Sequence, residues 1–332
     1  MDQEQVVRSI KNYYLDKLSP RSVAVMNKVF SHPSIARRHF AFDVPDDLVD
    51  EHPDHRIARF THWAVELSQM AAVDALRRAE LTVEDVSGLV VNTCTGYICP
   101  GLSTYLIERM GLRKDITAVD LVGNGCGAAI PNVQICQALL KENLDGVILC
   151  VSAEICSSTF QMGDELSLIV SNALFADGAG ACVLWNRPRG LGLVGWASRH
   201  APEFREDIRY VHRNGQLFNQ LSPKLPELAG KLVAQVVTQF LRSRNMEPRN
   251  IRHWAIHPGG ESILNAIKKE LGLSDEQLAH SRQVLAQYGN ISSSTVWFVL
   301  RDILETGTEP GDWCLMVAFG AGLSVHVLLL QT

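Results

Sequence analysis

One thiol, one imidazole and one carboxamide each stand in a glycine turn of this chain: Cys126 within GNGCGAA, His257 within HPGG and Asn290 within YGN. The three types suit acyl transfer. A cysteine at the start of a helix meets the positive end of the helix dipole, which favours thiolate. An imidazolium beside it would lower the thiol pKa further, and an Asn amide donates hydrogen bonds without titrating. Each motif alone stays open. Cys126 also fits a tight turn around a small buried residue, His257 a turn position before Pro-Gly, and Asn290 a helix N-cap. No GxSxG elbow is present for a serine hydrolase.

The elements around these turns follow from hydrophobic period and punctuation. Residues 116–122 read as a buried strand running into the Cys126 turn, and a helix follows to about Glu142 with Pro131 in its first turns. Strands are expected at 87–93, 146–152, 191–196, 253–256, 313–319 and 323–330. Helical stripes cover 61–80, 102–110 with Gly111 as stop, 232–241, the turns around Ile263, Leu264 and Ile267, and 288–304. Ser274 and Gln277 have capping-box spacing. Residues 154–171 read as irregular, 172–185 as a short element, an Asp-Gly turn and a strand, and 197–226 as a polar connection. The basic run Ala36-Arg37-Arg38-His39 reads as a solvated face or as a contact for an anionic carrier. Strands alternate with helices in both halves, which predicts an α/β fold with a boundary near 187–190.

With 332 residues, 46% hydrophobic and 20% charged, the chain has material for a large core. A formal net charge of −5 gives no basic field for nucleic acid. No apolar run approaches the ~18 residues of a membrane span, and no signal-peptide core opens the chain, so a cytoplasmic location is expected. The eight cysteines form no CxxC and no zinc-finger spacing with His, so neither a metal site nor a disulfide framework is expected.

The three motifs, with SAEICSSTF, ALFADG, WAIHPGG, QYGNISS and AFGAGLS in this order along the chain, resemble the condensing enzymes of the thiolase superfamily. Within it the chain is similar to the chalcone-synthase-like enzymes, the type III polyketide synthases, from about Ile57 to Leu330. The resemblance implies the thiolase fold: two similar βαβαβ-type halves in a layered αβαβα arrangement. Residues 1–188 would carry the nucleophile, and residues 189–332 the catalytic His and Asn. It further implies that Cys126 takes an acyl group from a thioester, with His257 holding the thiolate as an ion pair. A malonyl thioester then loses CO2, His257 and Asn290 hold the enolate oxygen, and the carbanion attacks the acyl-Cys. Phe175 and Phe218 match two gate phenylalanines, and Cys156 and Thr159 match cavity-lining positions. Glu154 and Ser292 fall within the matched site segments, and Gly320 and Gly322 match a cavity-shaping loop. Cys99 matches a residue that crosses into the partner's cavity, which implies a homodimer. No tightly bound cofactor is implied; acyl-CoA and malonyl-CoA, or chains on an acyl carrier protein, are the substrates.

The chain departs from the family pattern at the carrier end. Lys28 and His32 stand at two of the cationic places, and Val25 replaces a third, while Arg37, Arg38 or Lys17 could compensate. Ala321 stands where the family loop has Pro. Two catalytic readings result: a type III polyketide synthase using CoA thioesters, and a stand-alone ketosynthase joining carrier-protein-bound chains. A non-catalytic scaffold is a third, and it predicts loss of one of the three catalytic types, all of which are present.

Overall fold

A computed structural model describes residue 1 and residues 3–332. In the first half the chain forms α1 (Gln3–Tyr14), α2 (Pro20–Phe30), α3 (Pro53–Ala79), β1 (Gly88–Thr93), α4 (Leu102–Met110), β2 (Thr117–Val122), α5 (Ala129–Glu142), β3 (Ile148–Ile155), α6 (Leu166–Leu174) and β4 (Asp177–Leu184). The second half forms β5 (Gly192–His200), β6 (Ile208–Arg213), β7 (Gln216–Leu221), α7 (Leu225–Arg242), β8 (His253–Ile256), α8 (Glu261–Leu271), α9 (Ala279–Tyr288), α10 (Thr295–Thr306), β9 (Trp313–Gly320) and β10 (Ser324–Gln331).

Two four-stranded sheets organise these elements, ordered β2-β1-β3-β4 and β5-β10-β9-β8. β1 pairs in parallel with β2 and β3, and β4 closes the sheet antiparallel. In the second sheet β8 and β9 are parallel, and β10 runs antiparallel to β9 and β5. The continuous apolar runs of β1 and β3 are buried along their whole length, as strands covered on both faces require. What covers them on one side is α5. Its Ala129, Ile130 and Val133 pack with Val296 and Val299 of α10 between Cys150 of one sheet and Met316 of the other. α3 and α4 cover the outer face of the first sheet, and α7 and α8 that of the second. The result is the layered αβαβα order. Each aliphatic side chain that α5 takes fully from water contributes about 1.5–3 kcal/mol. Its one buried polar residue, Asn132, donates to Asn92 Oδ1 at 2.7 Å and Val151 O at 2.8 Å, so no amide group is orphaned there.

Five stretches differ from the sequence expectation. β2 is not a buried strand: it is the edge of its sheet and is exposed or half-buried along its length. Residues 154–171 are not irregular: β3 continues to Ile155, a 3-10 turn spans Cys156–Thr159, and α6 follows. α6 is only nine residues long, carries no side-chain cap and is rich in Ser, Val and Ile, so its helical signal is weak. Asp177-Gly178 is not a turn but the start of β4, where Asp177 accepts from Ser157 N (2.7 Å), Ser157 Oγ (2.6 Å) and Ala41 N (2.7 Å). The connection at 197–226 holds the hairpin β6–β7. Its turn, Asn214-Gly215, has both residues at positive φ, the pattern a two-residue hairpin turn demands. Finally, the run 36–39 is not a solvated face throughout, because Arg38 is wholly buried.

Candidate active site

Cys126 lies in a 3-10 turn, Gly125–Gly127, between β2 and α5. Gly123 and Gly125 hold φ of 91° and 56°, which L side chains rarely adopt. The turn is gripped from the second half of the chain. A Cβ on Gly125 would stand 2.8 Å from Ala321 N. A Cβ on Gly320 would stand 2.9 Å from Cys126 N, and closer still to Gly127 N and Asn124 O. The β9–β10 turn thus meets the nucleophile turn backbone to backbone. Burial pushes the Cys126 thiol up to about 12, against the pull of Ser292 Oγ, which donates to Sγ at 3.3 Å.

His257 follows the end of β8 and is fixed by its N–H to Val317 O (2.8 Å). Its ring meets Phe319 edge-on at 5.2 Å, and its buried Nδ1 has no partner. Burial pulls the imidazole down to about 3. Burial by itself thus disfavours the charged form of each group. The standing thiolate–imidazolium pair expected from the sequence is opposed by desolvation, which disfavours each charged form.

Asn290 is oriented by its own carbonyl. Oδ1 accepts from Ser292 N (2.9 Å) and Thr295 Oγ1 (3.4 Å), which turns Nδ2 the other way, to Gly259 O at 3.3 Å. An amide makes two such N–H groups, and the second is free for a substrate oxygen. The turn costs strain, since Ser292 sits at φ 48°. On the backbone, Asn290 N donates to Leu174 O and Ala176 N donates to Asn290 O, both at 2.9 Å, so residues 174–176 bracket it.

Cys126, His257, Asn290, Phe175 and Phe319 line one cavity of about 370 Å³, which also touches Lys28 and His32. A second cavity of about 1060 Å³ lies beyond the Cys126 turn. Its lining includes Gly125, Cys94, Thr159, Tyr210, Ala321 and Gly322. Between the two runs a hydrogen-bonded row: Cys94 Sγ meets Ser292 Oγ at 3.1 Å, and Ser292 Oγ meets Cys126 Sγ. Glu154 is buried behind it. It accepts from Cys94 N (3.0 Å), Thr95 Oγ1 (2.9 Å), Thr93 Oγ1 (3.3 Å) and Ser293 Oγ. Burial raises its pKa, and these bonds hold it back.

Of the other expected residues, Phe175 lies between the cavities' walls, touching the narrow cavity and a small void that it shares with Cys156 and Thr159. Cys99 is exposed. Phe218 is a correction. It lies on β7 under the Arg213 guanidinium, 5.3 Å from its ring, and lines neither large cavity. Side chains alternate along a strand: Phe218 shares a face with Val211 opposite it, whereas Tyr210, His212 and Leu217 share the other face and line the larger cavity. Lys28 and His32 line the narrow cavity, whereas Arg37 is exposed away from the cavity lining. Arg38 is a second correction: it is 0% exposed and cannot meet a carrier phosphate. The sequence reading missed Cys94, Ser293, Phe319 and Tyr210. Asn214-Gly215 was the signal for the hairpin that delivers Tyr210. Cys94 stands at the C-terminal end of a parallel strand, where α/β sites gather.

Comparison with known proteins agrees with this geometry. Residues 2–192 match the FAE1/type III polyketide synthase-like family, and residues 198–332 the chalcone and stilbene synthase C-terminal domain. The chain is 28% identical to the 3,5-dihydroxyphenylacetyl-CoA synthase of Streptomyces toyocaensis, over 92% of this chain and 82% of that protein. It is 29% identical to the 1,3,6,8-tetrahydroxynaphthalene synthase of Streptomyces peucetius subsp. caesius, over 93% and 84%. Its fold is similar to the crystal structure of 1,3,6,8-tetrahydroxynaphthalene synthase from Streptomyces coelicolor A3(2), with TM-score 0.91 and 22% identity, covering 100% of this chain and 95% of the other. The C-terminal type III polyketide synthase domain of Steely1 from Dictyostelium gives TM-score 0.91 at 25% identity, over 100% and 95%. With more than half of its length inside one family and most of the rest matching the chalcone and stilbene synthase C-terminal domain, the chain belongs to the type III polyketide synthases, condensing enzymes of the thiolase fold.

Proposed function

We propose that the chain builds a polyketide from malonyl-CoA by repeated decarboxylative condensation on Cys126. One observation carries the reading: Cys126, His257 and Asn290 face one cavity at the point where a narrow chamber and a larger one meet the same turn. A thioester enters past Lys28 and His32. The imidazole of His257 takes the thiol proton, and the imidazolium so formed holds the thiolate as an ion pair. The sulfur attacks the thioester carbonyl, the carrier thiolate leaves with a proton, and acyl-Cys126 remains. Malonyl thioester then binds in the same chamber. Loss of CO2 leaves an enolate whose oxygen takes hydrogen bonds from Asn290 Nδ2 and from His257. Its carbon attacks the acyl group, forming the carbon–carbon bond and freeing Cys126. The lengthening chain occupies the larger cavity. The two Streptomyces relatives are named for polyhydroxylated aromatic compounds, which supports a product of that class.

The same reading places residues 1–188 and 189–332 as two halves that each contribute one side of the site. It takes the enzyme as a cytoplasmic homodimer without a tightly bound cofactor. The dimer is supported by the exposed β2 edge of the first sheet, by exposed Cys99, and by Tyr97 and Val122, which are exposed in the lining of the larger cavity. No helix among the described residues is long and apolar enough to cross a membrane.

One observation favours a carrier protein over CoA. Among the described residues, and apart from His257 at the reacting end, the narrow cavity's lining holds only Lys28 and His32 as basic types and sets Glu261 against them, and a nucleotide 3′-phosphate wants more fixed positive charge. Purified protein given acyl-CoA with malonyl-CoA, or the same acyl groups on carrier proteins, separates the two by mass spectrometry of products. Ring products from CoA substrates alone support the main reading; turnover only with carrier-bound chains overturns it. Peptide mapping should find the acyl group on Cys126, and labelling that persists in Cys126→Ala refutes the nucleophile.

A further inference from the structure

Arg38 has no carrier to bind, yet the fold keeps its charge inside. Its guanidinium lies between the rings of Phe30 (5.5 Å) and Phe40 (5.0 Å). Nε donates to Gln3 Oε1 at 2.8 Å, and Nη1 donates to Asn172 O at 2.6 Å and Phe175 O at 2.8 Å. These partners are an amide and two carbonyls, not a carboxylate; Asp177 acts on it only at longer range. A buried cation without an ion-pair partner is expensive, and an apolar residue would fill the place at lower cost. Burial lowers its pKa to about 9, which leaves it charged at neutral pH.

What the charge holds is the segment that brackets Asn290. Asn172 O and Phe175 O are carbonyls at the C-terminal end of α6, where a cation is favoured. The aliphatic stem of Arg38 reaches the other side of the same bracket: a Cβ on Gly289 would stand 2.8 Å from Arg38 Cγ and 3.0 Å from Leu174 O. Phe175 in turn forms an isolated parallel bridge with Asn290. Arg38 therefore touches the residue before Asn290 and the strand-like segment beside it, and it touches no cavity.

We propose that Arg38 is a positioning residue for the condensation, clamping residues 174–176 and Gly289 so that the Asn290 amide stays aimed at the substrate oxygen. The proposal rests on the oxyanion role of Asn290 given above. Lysine keeps the charge but, as a compact point donor, cannot hold Gln3 Oε1 from one nitrogen and the two carbonyls from another in the fixed plane of a guanidinium. For Arg38→Lys the expected result is a fall in kcat for malonyl-CoA decarboxylation of roughly 10- to 100-fold, the cost of a misplaced group. KM should move less than about threefold, and iodoacetamide should still alkylate Cys126 at the wild-type rate.

A double-mutant cycle decides between positioning and mere stability. If Arg38 acts through Asn290, Arg38→Lys should cost no further activity in an Asn290→Ala background. Losses that multiply, a loss carried by KM, or wild-type kcat per folded molecule with only a lower Tm each overturn the proposal. Should Arg38→Lys fail to fold, Gln3→Met removes the Nε partner and enters the same cycle with the same expectation. Full decarboxylation by Asn290→Ala alone would refute the active-site reading itself, and this proposal with it.

Discussion

Gly320→Ala tests the contact between the two halves most directly. The added methyl would stand 2.9 Å from Cys126 N, where ordinary contacts begin at 3.4 Å, so the nucleophile turn must retreat by about 0.5 Å. It must retreat further at Gly127 N and Asn124 O, and every atom in the way is backbone, so no flexible side chain can yield. Overpacking of this kind costs about 1–3 kcal/mol. A shift of 0.5–1 Å in a reacting group costs up to roughly 100-fold in rate. The variant should therefore show a lower Tm and, separately, slower acylation of Cys126 in single-turnover assays with an acyl thioester. Gly322→Ala is the control. Its Cβ meets nothing within 4 Å, but its φ is 112°, so it should lose stability through strain while acylating at near the wild-type rate per folded molecule. Wild-type acylation by Gly320→Ala would refute the reasoning, and equal rate losses in both variants would assign the effect to general loosening of the loop.

Other consequences are equally checkable. Ser292→Gly should slow iodoacetamide labelling of Cys126, because the hydroxyl that favours the thiolate is gone, while the relieved φ of 48° offsets part of any stability loss. Asp177 is held at about 6, above its unfolded 3.8, mainly by burial. The folded state thus binds its proton more tightly, so this contribution is fully present below pH 3.8 and is lost as pH rises through 6. Between pH 4 and 7 wild type should lose up to roughly 3 kcal/mol that Asp177→Asn does not, read by chemical denaturation. Phe218→Ala should leave the product pattern unchanged by mass spectrometry, since its ring lines neither large cavity. A shifted chain length would restore the gate role.

How much of this was legible in the sequence depends on which signal each residue obeys. α4 and β8 fall on their expected bounds because Gly111 stops one at φ 67° and an apolar run delimits the other. Ser274 and Gln277 form the reciprocal capping bonds their spacing implies, 3.3 and 2.9 Å. Cys126, His257 and Asn290 were legible because each needs glycine beside it, and glycine marks the page. The side of the hairpin that Phe218 faces was not, since a one-residue offset inverts a strand's faces and only the turn at Asn214-Gly215 sets it. Arg38 misled for a different reason. Charge predicts exposure, and nothing local announces that Phe30, Phe40 and the carbonyls at the end of α6 close around this one and not around Arg37.

The Cys126 and Asn290 turns lead into α5 and α10, the helices of the central layer, and they touch through Ser292 and Cys126. The dipoles of these two helices are sealed between two sheets, where salt screens them less than it screens exposed charges. Lys28 and His32, the residues proposed to meet the carrier, by contrast lie at a surface open to solvent. Raising ionic strength from about 0.1 to 1 M shortens the screening length from roughly 10 to 3 Å. Salt should then act as a scalpel, raising KM for the carrier while leaving the chemical step nearly untouched.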